Sequence, residues 1–270
     1  MQLREIYQIA DEIAPKRLSD EICQNPDWYD NSGILLDTGE EIKRVLFSLD
    51  LSVLAVEKAL QTGANLIITH HPAIYGKISS VRYDDEQMLG GKLVKCLRNG
   101  ISVLSMHLNL DFAPDGIDES LMQGILLSAG AQSTDGKAEI HCPVFGGGYG
   151  RVYDVPKITV QTLAENMKKT FSSERVERYP NGVKSISKVA SFCGSGADES
   201  AVLFAKAQGA DAIVSSDFKH HVLTLARECG LAVITLTHYA SEHYGFKKYY
   251  EKIRRQIEIP CEYYTDEELL

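Results

Sequence analysis

The stretch RVLFSLDLSVLAVEKALQTGANLIITHHP, residues 44–72, decides the fold. Its flanks, Arg44–Leu51 and Asn65–Thr69, are short, apolar and β-prone. Between them Val53–Gln61 carries apolar residues at helical spacing and stops at Gly63, a common helix-end signal. Strands that are apolar throughout, joined by a helix, are the grammar of a parallel sheet covered on both faces. The rhythm continues outward. Glu86–Arg98 reads as a helix ending near Gly100, Ile101–Met106 as a strand and Asp115–Ser128 as a helix.

The middle of the chain breaks this rhythm. Lys137–Lys188 contains Gly146-Gly147-Gly148 and Gly150, alternating stretches and one helix around Val160–Thr170, which reads as hairpin-like and connecting structure. Then the alternation returns: Lys188–Cys193 strand, Glu199–Gln208 helix, Ala212–Ser215 strand, His221–Cys229 helix, Leu231–Leu236 strand, Tyr239–Ile257 helix. The second run echoes the first: EKALQTGANLIITHH (57–71) beside LFAKAQGADAIVSSD (203–217), and NGISVLSMH (99–107) beside CGLAVITLTH (229–238). The echo is either generic βαβ grammar or the mark of two like lobes. The expected architecture is α/β: two similar lobes, residues 1–133 and 134–270, with mainly parallel sheets facing each other across a metal-containing cleft. The C-terminal helix is free to pack back on the first lobe.

Composition narrows the function classes. The 270 residues are 44% hydrophobic and 24% charged, ordinary for a globular protein. No apolar run reaches the roughly 18–20 residues of a membrane helix, and the start, MQLREIYQIADEIAPKR, has no signal-peptide core. A cytoplasmic location is expected. The formal net charge is −9, and basic residues cluster no further than pairs such as Lys168-Lys169, Lys247-Lys248 and Arg254-Arg255. Nucleic-acid binding is therefore disfavoured, and so is a membrane partner. The six cysteines (Cys23, Cys96, Cys142, Cys193, Cys229, Cys261) form no CxxC pair and read as buried thiols.

In open parallel sheets, ligands bind beyond the carboxyl ends of the strands. Here those ends lead into His70-His71-Pro72, His107-Leu108-Asn109-Leu110-Asp111, Ser216-Asp217 with His220-His221 just beyond, and His238-Tyr239-Ala240-Ser241-Glu242 with His243 next. Seven of the eight histidines lie there, His141 being the exception. Imidazole and carboxylate are the usual ligands of zinc, iron, manganese or cobalt. His238 and Glu242, four apart, share one helix face, and a carboxylate can bridge two cations. Taken singly, each residue has a plainer reading: a hydrogen-bonded strand terminus for His70-His71, a turn or N-cap for Asp111, a solvated helix face for His238 and Glu242. Gly194-Ser195-Gly196, between strand and helix, is either a tight turn or an anion-binding one.

Taken together, Asn31-Ser32-Gly33, Gly63–Pro72, His107–Asp111, Gly194-Ser195-Gly196 and His238–Glu242 resemble the "NGG-interacting factor three" family, whose bacterial members are described as GTP cyclohydrolase I type 2 homologs and dinuclear-metal-centre hexameric proteins. The resemblance covers nearly the whole chain. It implies two divalent metals per subunit, iron, zinc or manganese. One would be on His70 and His238, the other on His71 and Asp111, with Glu242 bridging. It also implies a toroidal homohexamer, a trimer of dimers. Departures are the intervening Asn25–Asp30 (NPDWYD), Leu108 where Thr is common, and Cys193 before the Gly-Ser-Gly turn. The expected function is a dinuclear-metal-dependent hydrolase acting on a small molecule, a purine nucleotide ring as in GTP cyclohydrolase. His107 and Glu242 would move protons, and Gly194, Ser195 and Gly196 would hold a phosphate. The alternatives are a two-metal phosphoesterase or amidohydrolase, and a non-catalytic metal-loaded ring acting as scaffold or regulator.

Overall fold

A computed structural model describes residues 1–134 and 137–270, which divide into two compact units. The first comprises Met1–Ala113 and Phe246–Thr265, the second Pro114–Gly245 and Asp266–Leu270. By contacts the chain thus divides at 113/114, and the C-terminal segment Phe246–Thr265 groups with the first unit.

The first unit contains α1 (Leu3–Ile13), α2 (Lys16–Ile22), β1 (Gly33–Leu36), β2 (Val45–Ser48), α3 (Val53–Thr62), β3 (Leu66–Thr69), α4 (Leu89–Arg98), β4 (Ser102–Ser105) and the short α5 (Leu108–Phe112). The second contains α6 (Ile117–Ser128), β5 (Ala138–Val144), β6 (Gly147–Ile158), α7 (Val160–Thr170), β7 (Glu177–Tyr179), β8 (Ile186–Ser191), α8 (Glu199–Ala207), β9 (Ala212–Ser215), α9 (His220–Glu228) and β10 (Ala232–Thr235). Helix α10 (His238–Ile253) starts in the second unit and ends in the first, and β11 (Cys261–Tyr263) belongs to the first.

The first sheet runs β1-β4-β3-β2-β11, with only β1 antiparallel to its neighbour. Every residue of β2, β3 and β4 is buried, which is why these strands are apolar without alternation. Helix α3 is delimited by its sequence: Ser52 Oγ accepts from Ala55 N at 3.0 Å, and Gly63 closes the helix in the left-handed region. Its inner face packs Val56 and Ala59 with Leu46, Ile67, Leu93 and Val103. Behind the sheet, Phe47 meets the rings of Phe246, Tyr249 and Tyr250 from the end of α10, at 6.1, 6.4 and 5.1 Å between centroids.

The second sheet runs β5-β6-β8-β9-β10-β7. Its parallel core β8-β9-β10 is flanked by antiparallel strands, because the glycine-rich middle segment supplies the β5–β6 hairpin. The sequence echo corresponds to β2-α3-β3-α4-β4 in one unit and β8-α8-β9-α9-β10 in the other, each with its strands adjacent and parallel. Helix α6 groups with the second unit, where Gly124 lies so close to the Phe171 ring that any side chain would strike it. Helix α4 begins at Leu89, three residues later than its pattern suggests, because segment 80–86 folds back over its first turn at Gly90 and Gly91. Of the cysteines, Cys96 and Cys193 are buried and the other four are partly exposed. Among the described residues, no helix is long and apolar enough to cross a membrane.

Candidate metal centre

In the first unit, β3 delivers His70 and His71 on a turn that is pinned from several sides. Both backbone N–H groups donate to Leu49 O, at 3.1 and 3.0 Å. Thr69 Oγ1 donates to His71 O at 2.8 Å and lies 2.7 Å from Ser105 Oγ, which accepts from Ala73 N at 3.1 Å. Strand β4 leads into His107, and α5 then presents Asp111, whose N–H donates to His107 O at 2.9 Å. Asn109 holds α5 in place by donating from Nδ2 to Ala14 O at 2.7 Å.

These elements bring donor atoms together. His70 Nε2 stands 3.4 Å from Asp111 Oδ1, and both side chains are almost wholly buried. His70, His107 and Asp111 each offer one ligand atom, all within 4.8 Å of one another, a grouping able to hold a metal ion. The His71 ring lies 5.0 Å from that of His70 and 5.9 Å from that of His107.

The second unit assembles its own pair on the first turn of α10. His238 Nε2 is 3.1 Å from Glu242 Oε1, and Glu242 is buried. Beneath them passes the Gly194 turn, with φ +54°; a Cβ there would run into the Glu242 carboxylate and come within 3.3 Å of His238 Cε1. Gly194 N donates to Ser241 Oγ at 3.2 Å, and Gly196 N to Cys193 O at 3.2 Å. The Tyr149 hydroxyl fills the space beside Gly196. Two of the three N–H groups assigned to phosphate are therefore donating within the protein, and the exposed Ser195 is the part of the turn open to solvent. Asp118 braces the turn from below: Oδ1 accepts from Cys193 N at 3.2 Å, and Oδ2 from Gly150 N at 3.0 Å and from Arg151. Burial pushes the Asp118 carboxyl up, against the Arg151 charge and these hydrogen bonds.

The donor chemistry fits a divalent metal. Four imidazoles are each fixed at Nδ1 by an oxygen: His70 donates to Met106 O at 2.8 Å, and His71, His107 and His238 meet Asp50 Oδ1, Asp30 Oδ1 and Asp217 Oδ2 at 2.7, 2.9 and 2.6 Å. Anchoring Nδ1 leaves Nε2 as the coordinating atom and sets the ring plane, which is how metal-binding histidines are held. Buried carboxylates beside neutral imidazoles suit ions of borderline softness. Asp30 is held well below the usual carboxylate range: burial would raise it, but hydrogen bonds from His107, Ser32 and Ser19 and the His107 charge prevail.

Sequence reasoning passed over the anchors. Asp50 follows β2 as His70 follows β3, so the strand-end rule could have found it. Asp217 stands just beyond a strand end, where its sequence context assigns it no role. Nothing local marks Asp30. The remaining histidines serve elsewhere. His220 and His221 are exposed on α9, with His221 3.7 Å from Glu199. His243 stacks on Tyr239 at 5.4 Å. His141 Nε2 lies 3.1 Å from Ser200 Oγ, its pKa lowered by burial against the pull of Asp198.

Relatives carry the same chain plan. A "GTP cyclohydrolase 1 type 2 homolog" of Clostridium perfringens is 28% identical over 99% of this chain and 97% of its own. The solved structure titled reduced HcgD from Methanocaldococcus jannaschii matches with a TM-score of 0.79 at 25% identity, over 97% of both chains. A hypothetical protein of Staphylococcus aureus matches in fold with a TM-score of 0.81 at 23% identity, over 99% of this chain and 97% of that one. With a family model matching residues 1–266, the chain belongs to the Duf34/NIF3 (NGG1p interacting factor 3) family.

Proposed function

We propose that this protein is a metal-dependent hydrolase of a small molecule, holding two divalent ions on His70, His71, Asp111, His238 and Glu242. The observation that carries the reading is the Nδ1 anchoring of four imidazoles by oxygen atoms, together with buried Asp111 and Glu242. Such ions, when bound, supply Lewis-acid activation of water, drawing its pKa towards about 7. The rest is the work of the chain. His107, with Nδ1 held by Asp30, keeps Nε2 turned to the reacting side, where it can carry a proton between water and leaving group. Glu242, seated over Gly194, has the second proton-carrying oxygen at a fixed height. His70, itself one of the proposed donors, is fully buried.

The substrate class in this reading is a purine nucleotide whose imidazole ring is opened with release of formate. Its support is the name borne by the C. perfringens relative. Metal analysis of the purified protein beside His71→Ala tests the first half: about two ions per chain are expected, falling in the variant, and none even after loading would remove the site. Incubating loaded protein with GTP tests the second half, and finding no formate or pterin fluorescence would sink it.

A second reading, a metal-loaded ring without catalysis, is favoured by the family's description, which names an interaction. It predicts that the cellular role survives when His70 and His71 are substituted and metal is lost. The six-subunit ring is part of both readings, and light scattering at micromolar concentration tests it.

A further inference from the structure

Beside His107, two segments outside any helix or strand, 28–32 and 72–76, are fastened together. Asn31 Nδ2 donates to Ile74 O at 2.7 Å, and the Tyr75 hydroxyl donates to Tyr29 O at 3.5 Å. The rings of Tyr29 and Tyr75 meet edge to face at 5.1 Å. On the other side the same segment grips the histidine: Asp30 holds its Nδ1, Ser32 Oγ accepts from its backbone N–H at 3.0 Å, and Asp30 Oδ2 accepts from Ser32 N at 3.2 Å. The Tyr75 ring lies 6.2 Å from that of His107, nearly perpendicular to it.

Both tyrosines are more than half exposed, Tyr75 at 58% and Tyr29 at 53%. Tyr29 nevertheless adjoins Asp30, whose carboxylate is almost wholly buried, and Tyr75 follows Ile74, whose carbonyl accepts from Asn31. The arrangement is a fixed aromatic face, open to solvent, at the rim of the His70–His107–Asp111 donors. A rigid ring of this kind offers large contact area with little ordering cost, and it attracts another π-system regardless of that partner's substituents. Tyr29 and Asp30 are both part of the segment NPDWYD, residues 25–30.

We propose that Tyr75, braced edge-on by Tyr29, is the specificity-determining surface of the site, taking a planar heteroaromatic ring across its open face with the ring's edge towards His107. Asp30 is the positioning residue that keeps His107 facing that edge. The location rests on the metal-centre reading; recognition of the ring does not.

The test is calorimetric binding to the full-length protein, metal-loaded and metal-stripped. The probes are guanosine, adenosine and uridine 5′-monophosphates and riboflavin 5′-phosphate, with ribose 5-phosphate as the ringless control. At least one ring-bearing probe is expected to bind tenfold or more tighter than ribose 5-phosphate. Tyr75→Leu is expected to weaken that probe roughly tenfold or more while leaving ribose 5-phosphate unchanged, and Tyr75→Phe to restore it. Tyr29→Leu should give a smaller loss in the same direction. The variants are surface changes, and their melting temperatures report folding separately. The proposal is overturned if no probe outbinds ribose 5-phosphate, or if Tyr75→Leu leaves the preference intact. Failure of the hydrolase reading looks different: no product forms, yet the binding differences persist.

Discussion

A histidine that is to bind a metal must be turned before the metal arrives, and in this chain oxygen atoms from other parts of the sequence do the turning. His71 is the clearest case, held by Asp50 at 2.7 Å. Asp50→Ala should leave His71 in place but free to rotate, and metal affinity should fall by roughly 10–100-fold, read by chelator competition. An unchanged affinity would mean that Asp50 merely neighbours the ring. Asp30 yields a prediction in pH. Its folded carboxyl lies below the unfolded value of 3.8, so its stabilisation is present in full above that value and is lost as pH falls below it. The advantage of the wild type over Asp30→Asn in denaturant midpoint should shrink progressively as pH falls from about 3.8 towards the lower pKa of the folded carboxyl. The candidate ligand residues were legible because each lies at, or within a helical turn or two beyond, the end of an apolar strand. Their anchors were not, because Asp30 and Met106 O acquire meaning only when loop and strand are already placed beside the ring.

At the scale of elements, the two βαβαβ runs could be read directly. Their strands are buried on both faces, and their helices carry their own boundaries, Ser52 and Gly63 for α3 and the Asp198 cap for α8. Strands β1, β7 and β11 escaped. They have four, three and three residues, are largely exposed or partly buried, and are strands only because a neighbour supplies the ladder. The start of α6 hides a second dependence. Asp118 is wholly buried and bound to Arg151 of β6, so neither charge can be removed without stranding the other. Asp118→Ala should cost about 3–5 kcal/mol in chemical unfolding. Asp118→Asn keeps an acceptor for only one of Gly150 N and Cys193 N, which different oxygens serve here, and leaves Arg151 without its counter-charge, so it should cost nearly as much.

At the scale of the whole molecule, the first unit is discontinuous in sequence, and this is what a linear reading is least equipped to see. Phe47 sits in β2 under rings from α10, and β2 has β11 as its outer neighbour. A fragment of residues 1–133 therefore lacks Phe246–Thr265 and leaves a sheet edge and an apolar face uncovered. It should show no cooperative thermal transition, whereas adding a peptide of residues 246–265 should restore one in part. A sharp transition in the fragment alone would show that the first lobe stands without its C-terminal segment.

Gly194 carries a consequence for inheritance. Its backbone occupies a conformation that L side chains avoid, and the atom any replacement would add falls on the Glu242 carboxylate. Every missense change in its codon thus carries a double penalty, although the residue contributes no ligand atom. In a saturation library selected for metal-dependent function, codon 194 should be depleted as severely as codons 238 and 242, and its alanine variant should fare no better than its bulkier ones.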